Sequence, residues 1–169
     1  LKVGDYIELE DGRKGTLTHM NIRSSVLATF DGKEIMVPND KFITTAFTNW
    51  THQDPRQRYE VAFSVTYDTD LHRVPPLIVQ AVSAHPQVLR KPEEPDVELR
   101  DFGDNGVHFA VEFWVSGIDD GKNKFTSEIR FLIWDALKGA GIAMPFPQRE
   151  VRIIPADAPA LATRKKPKD

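Results

Sequence analysis

Hydrophobic positions change their period along this chain. Over residues 5–51 they recur in short alternating runs, broken at Asp11-Gly12 and Asp31-Gly32, dipeptides that supply the positive backbone angle of tight hairpins. The pattern predicts five short strands, at 6–9, 14–20, 22–30, 34–37 and 46–50. Strands this short cover their edges best by curling into a small barrel. Between the fourth and fifth, Pro38-Asn39 and 40–44 predict a single helical turn, because proline donates nothing to a ladder and asparagine tolerates a turn.

Residues 51–58, polar and containing Pro55, predict a linker. Beyond it, 57–67 alternates around Tyr59, Val61, Phe63 and Val65, the pattern of a half-buried strand. Leu71, Val74, Leu77, Ile78, Ala81 and Val82 then fall near one helical face. Pro75 and Pro76 are awkward inside a helix, so the regular part is expected to start near Val74 or Pro75 and to end by His85-Pro86. Segments 97–102 and 107–117 flank Gly103-Asp104-Asn105-Gly106, a hairpin signature.

The strongest periodicity is late: Phe125, Ile129, Leu132, Ile133, Ala136, Leu137 and Ala140 form one helical stripe, which is expected to pack on a sheet. Phe131 and Trp134 lie off that stripe, leaving two readings, a subunit or domain contact and simple partial exposure. Gly141 is placed to end the helix in the left-handed conformation. Residues 149–154 predict a last strand, with Val151 and Ile153 on one face. The order strand, helix, strand, strand, helix, strand gives an α+β class and a ferredoxin-like sandwich if all of it folds within one subunit. The expected division is a small five-stranded β-barrel domain at 1–52, a ferredoxin-like domain at 53–148, a terminal strand at 149–155 and a disordered tail at 156–169. Arg164, Lys165, Lys166 and Lys168 in that tail read as a solvated terminus rather than a lipid contact.

Composition narrows the function classes. At 169 residues with 40% apolar and 28% charged, the chain is able to bury a core of its own. A net charge of −3 argues against a polyanion partner, which needs clustered cations to replace counterions. The absence of cysteine excludes disulfides and thiolate metal sites. No apolar run approaches the roughly 20 residues of a membrane-spanning helix. The first residue is leucine and no signal-type block follows it, so the chain is expected to be a fragment of a longer protein.

Reactive chemistry is not evident. There is no nucleophile elbow and no phosphate-cradling glycine loop, and the histidines at 19, 52, 72, 85 and 108 show no paired ligand spacing. Tyr67-Asp68-Thr69-Asp70 offers carboxylates to a divalent cation, but the simpler reading is a helix start, where aspartate and threonine satisfy free amides. Asp119-Asp120-Gly121 reads as a turn. The sequence therefore predicts no catalytic residues, no metal ligands and no cofactor.

A string of short matches gives a functional direction. Val3-Gly4-Asp5, Gly15-Thr16, Asp31-Gly32-Lys33, Val37-Pro38-Asn39, Tyr67-Asp68 with Asp70, and Gly141-Ile142 leading to Phe146-Pro147-Gln148 occur in order over residues 3–155. In order and spacing they resemble the cytoplasmic region of small-conductance mechanosensitive channels. The resemblance implies a homo-heptamer in which Sm-like barrels form a ring under the membrane and the mixed domains enclose a water-filled vestibule with side portals. It implies membrane helices before Leu1, a location on the cytoplasmic face of the bacterial inner membrane, and ions and small osmolytes as permeants released on hypo-osmotic shock. It also gives 149–154 a second reading, as one strand of a parallel barrel shared by all subunits, with Val151 and Ile153, like Phe131 and Trp134, as interface candidates.

Within the same resemblance Asn39 and Asp40 correspond to a hinge between the ring and the pore-lining helix, where contacts influence closure; the simpler reading of Asn39 is a turn former. Two departures stand out. Asp40 replaces a glycine of the best-known member, and Pro75-Pro76 interrupts a helix that is regular there. Two other classes fit the residues less well. An RNA-binding module of this fold pair needs exposed aromatics among basic residues, whereas Phe109, Val111 and Phe113 alternate with His108, Ala110 and Glu112, core-like on one side and not basic on the other. A small enzyme or ligand sensor lacks a recognisable constellation.

Overall fold

The computed structural model of the chain describes residues 1–120 and 123–154. The tail expected at 156–169, with its basic cluster, and Gly121 of the expected turn lie outside them.

The first sheet follows the predicted alternation. Its strands are β1 (Tyr6–Leu9), β2 (Lys14–Met20), β3 (Ser24–Ala28), β4 (Glu34–Pro38) and β5 (Phe47–Asn49), antiparallel in the order β4-β3-β2-β1-β5. Ile7, Leu17, Leu27 and Val37 take the inward phase and form its buried core. Gly12 and Gly32 carry positive φ at the hairpin tips, as the Asp-Gly dipeptides require. The third strand is shorter than the expected 22–30. Asn21 N donates to Ser24 O at one end and Thr29 N to Lys33 O at the other, so both ends of that run belong to turns.

The expected barrel is open among the described residues: no ladder joins β4 to β5. Helix α1 (Lys41–Thr44) stands between them, and β5 has only three residues. Phe42 of α1 meets Phe47 of β5 edge to face at 5.3 Å, covering the gap with apolar contact instead of hydrogen bonds.

The second sheet is built on β9 (Val107–Ser116). Strand β6 (Arg56–Val65) pairs with it along its whole length, from Arg56↔Ser116 to Val65↔Val107. On the other side of β9 lie β8 (Asp96–Phe102) and, end to end with it, the two-residue β7 (Val88–Leu89). Helices α2 (Val74–Ser83) and α3 (Lys124–Gly139) cover one face. Val61, Phe63, Val65, Phe109, Val111 and Phe113 meet Val74, Ile78 and Val82 from α2 and Ile129, Ile133 and Leu137 from α3. Phe63 and Phe109 stack at 5.6 Å across β6 and β9.

The prolines start α2 rather than interrupting it. A 3₁₀ turn at Leu71–Arg73, capped by Asp70, leads in, and Pro75 and Pro76 fall in the first helical turn, where backbone N–H groups have no intrahelical acceptor to lose. At the far end His85 Nδ1 accepts from Gln87 N at 3.1 Å, so Nε2 carries the proton and faces Glu128 of α3 at 2.5 Å, tying the two helices together. Gly141, at φ +70, closes α3 with Ile142 N donating to Leu137 O.

The terminal segment departs from the strand expectation. Ala143 O accepts from Thr66 N at 3.1 Å and Gln148 N donates to Asn105 Oδ1 at 2.9 Å, holding the chain against the end of the sheet. Among the described residues, 149–154 pair with no strand, so the ferredoxin-like connectivity lacks its closing strand there and the outer edge of β6 has no neighbour. Pro145 and Pro147, which cannot donate to a ladder, lead the segment along the end of the sheet rather than back along β6.

Candidate functional site

Asn39 follows directly on β4 and is tied to the β2–β3 hairpin on both sides of its amide. Its Nδ2 donates to Asn21 O at 2.8 Å and Ile22 O at 3.2 Å, and its Oδ1 accepts from Ser25 Oγ at 2.8 Å. Its own N–H donates to Arg23 O at 3.0 Å. Asn39 thus staples a hairpin tip on which Ile22 is almost fully exposed. Ser25, the buried partner, belongs to no motif in the sequence. The available signal was its place two residues before Leu27 on the inward phase of β3.

Asp40 lies next to it with φ −61, right-handed backbone that any residue adopts, and its Oδ1 accepts from Lys41 N at the start of α1. Glycine is not demanded here. Upstream, Asp5 is a buried carboxylate that accepts from Lys2 N at 2.9 Å and Asn49 Nδ2 at 2.8 Å. Burial pushes its carboxyl up, but these hydrogen bonds and the nearby cationic charge outweigh that, holding it below the usual value.

The four other singled-out residues all face outward. Phe131 is 68% and Trp134 46% exposed on α3, with Lys138 Nζ 4.7 Å from the Trp134 ring centre. Val151 and Ile153 are 77% and 88% exposed in the segment after α3. The structure does not bring these two pairs together with Asn39.

The face of the second sheet away from the helices carries a carboxylate–arginine network. Arg100 reaches Glu60 at 2.6 Å and Glu98 and Glu112 at 3.1 Å, and Arg58 pairs with Glu112. Phe109 and Phe113, which an RNA-stacking platform would have to expose, are buried under the helices. Between the two sheets lies a cleft of about 790 Å³, lined by Tyr6, Lys14 and Trp50 from the first and by Tyr59, Asp119 and Asp120 from the second. Gln57 Nε2 spans the junction to Trp50 O at 2.6 Å. Of Asp68 and Asp70, the first accepts from Thr66 Oγ1 and the second from His72 N, the local roles expected at a helix start.

Residues 59–144, more than half of the chain, match the family described as mechanosensitive ion channel MscS, C-terminal, and residues 1–52 match the mechanosensitive ion channel beta-domain. The chain belongs to the MscS family. An uncharacterized MscS family protein of Archaeoglobus fulgidus is 32% identical over 151 residues, covering 89% of this chain and 52% of that protein. The mechanosensitive channel MscK of Escherichia coli is 28% identical over 120 residues, 71% of this chain and 10% of MscK. Among solved structures, Helicobacter pylori MscS in its closed state superposes with a TM-score of 0.78 at 25% identity, over 92% of this chain and 60% of that one.

Arabidopsis thaliana MSL1, with a TM-score of 0.69 at 14% identity over 85% of this chain and 52% of that one, shares the fold. The chain spans about half or less of the curated relatives it matches. It is a C-terminal region of an MscS-family channel, and this family is one of channels rather than enzymes. No helix among the described residues is long and apolar enough to cross a membrane.

Proposed function

We propose that this chain forms the cytoplasmic vestibule of a tension-gated channel of the bacterial inner membrane, with no catalytic step of its own. Membrane helices preceding Leu1 open under tension, and ions and small osmolytes pass through the space this chain encloses. Seven copies surround that space. Asn39 and Asp40 lie at the hinge between the first sheet and the pore. Phe131 and Trp134 of α3 meet a neighbouring subunit, and Val151 and Ile153 join a parallel barrel on the symmetry axis. The units at 1–52, 53–148 and 149–155 act as ring, wall and base.

The observation that carries the reading is the family match over both sheets. What supports the assembly is the 149–154 segment, which pairs with no strand among the described residues and leaves Val151, Ile153 and Ile154 exposed. A strand with no partner in its own chain satisfies its backbone by pairing with copies of itself.

The test is the solution mass of the chain, by size exclusion with light scattering. A mass near seven times 19.1 kDa is expected. Replacing Val151 and Ile153 by aspartate is expected to lower it. A monomer would remove the shared-barrel reading. Tension-activated currents from the parent protein test the channel reading separately, and their absence would overturn it.

A further inference from the structure

We infer that the β8–β9 hairpin tip of one copy of this chain docks on the flank of α3 of the next, with Phe102 seated between Trp134 and Phe146 and with Asp101 and Asp104 facing Arg130 and Lys138. The inference deepens the reading that Phe131 and Trp134 meet a neighbouring subunit, and rests on it for the presence of a second copy.

One half of the contact is a stripe on α3. Arg130, Trp134 and Lys138 recur at every fourth residue and so share a face. Around the helix, the buried Ile129, Ile133 and Leu137 separate this stripe from Glu128, which faces His85 at the end of α2. The stripe therefore lies on the flank away from α2, where α3 packs over β6. Trp134 and Lys138 border a groove of about 190 Å³ with Met144, Pro145 and Phe146, the last of them 79% exposed. Among the described residues Arg130 has no acidic partner, and Lys138 meets the ring of Trp134.

The other half is the hairpin tip. Phe102 ends β8 and is 63% exposed, between Asp101 and the turn residue Asp104. Asp101 accepts from the Phe102 amide, and Asp104 has no hydrogen bond or ion pair among the described residues. An aromatic ring between two carboxylates thus stands free at the tip, and an aromatic ring between two cations stands free on α3.

The placement of the two patches selects the partner. Strands β6 and β8 lie on opposite sides of β9. Ala143, in the wall of the groove, is bonded to Thr66 N just beyond the end of β6, and Val65 and Phe102 both pair with Val107 at that same end of the sheet. The patches therefore sit at one level on opposite edges. Two different patches that meet head to tail generate a ring when the rotation closes, and equal level is what closure requires; a self-complementary patch would give a two-fold dimer instead. A lipid or nucleic-acid surface would suit the cationic stripe but not the acidic tip, whereas a second copy presents a mate to each. The rings supply the buried area, and the charges set the register, since exposed ion pairs add little affinity.

The experiment mixes isotope-labelled and unlabelled 169-residue chain and treats it with a water-soluble carbodiimide, which joins a carboxylate to a touching amine as an amide with net loss of water. Mixed-isotope links are identified by mass spectrometry, and light scattering gives the mass of the same sample. A link from Lys138 of one copy to Asp104 or Asp101 of another is expected. Asp104→Lys and Phe102→Ser, both at exposed positions, are each expected to lower its yield about tenfold. Asp104→Lys combined with Lys138→Asp is expected to restore a link of reversed polarity between the same two positions. A ring-sized mass with Lys138 linked elsewhere or to nothing, or unchanged yield in the single variants, would overturn this contact and leave the vestibule reading standing. The expected link in an assembly of fewer than seven copies would uphold the contact and count against that reading. A chain that stays single and unlinked up to about 1 mM would overturn the contact and leave the stripe to a partner of another kind.

Discussion

The buried hydroxyl of Ser25 donates to Asn39 Oδ1 at 2.8 Å, joining the start of β3 to the residue that follows β4. Because the other end of the same amide holds the carbonyls of Asn21 and Ile22, one side chain closes three backbone segments around the hairpin tip. Asn39→Ala leaves Ser25 without its acceptor. A loss of about 1–3 kcal/mol is expected, which for a chain of this size lowers Tm by about 2–4 °C per kcal/mol. The sharper readout is hydrogen exchange: the amides of 21–25 should exchange faster while the helices on the second sheet keep their protection. Unchanged exchange at the tip would show that the backbone alone fixes the hairpin.

Asp40 invites the opposite substitution. Its φ of −61 requires no glycine, and its side chain accepts from Lys41 N. Asp40→Gly adds backbone freedom to the unfolded chain and removes that acceptor, for an expected loss of about 0.5–1 kcal/mol in thermal or urea unfolding. A gain in stability would mean that the aspartate is held under strain.

How much of this was legible depended on how local the cause is. The strands around Ile7, Leu17, Val61 and Phe109 and the stripe from Phe125 to Leu137 follow from period alone, because each residue's burial is set by its own phase. Pro75 and Pro76 marked the start of α2 for the same reason. Strand β7 did not show, since two residues carry no period. Closure of the first sheet does not follow from the sequence pattern, because it depends on two edges meeting across α1 and not on any pattern within a strand. Asn39 was visible as a singular residue, but its partner Ser25 lies 14 positions earlier. Residues 149–154 have a strand's alternation, yet a strand exists only where a second edge is present. The cleft between the sheets had no sequence signature, because its walls come from both.

Gly106 belongs to a hairpin signature, but it is also confined by packing. A methyl group there would lie 2.6 Å from Val65 O and 2.7 Å from Pro145 Cγ, where the segment after α3 crosses the end of the sheet. Gly106→Ala is therefore expected to cost about 1–3 kcal/mol and to speed exchange at the Gln148 amide, which is bonded to Asn105 next door. Gly139 is the control. A methyl group there meets nothing within 4 Å and the residue is helical, so Gly139→Ala should stabilise by about 0.4–1 kcal/mol. Equal effects of the two substitutions would refute the packing argument.

Asp5 makes stability depend on pH with a definite sign. Its folded carboxyl titrates below the ordinary value of 3.8, so the unfolded chain takes up the proton first as pH falls. The contribution of the charged form is fully present above that value and is lost as pH drops through the lower, folded one. Asp5→Asn keeps the shape but weakens the bonds from Lys2 N and Asn49 Nδ2, the second of which then faces an amide able to present a donor. At pH 7 the variant should be less stable by about 1–3 kcal/mol, the range for hydrogen bonds to a buried charge. Measured by urea unfolding, the gap should be constant from pH 7 down to about 5 and close below about 3.8. A gap that widened on acidification would mean that burial, not hydrogen bonding, sets the titration of this carboxyl.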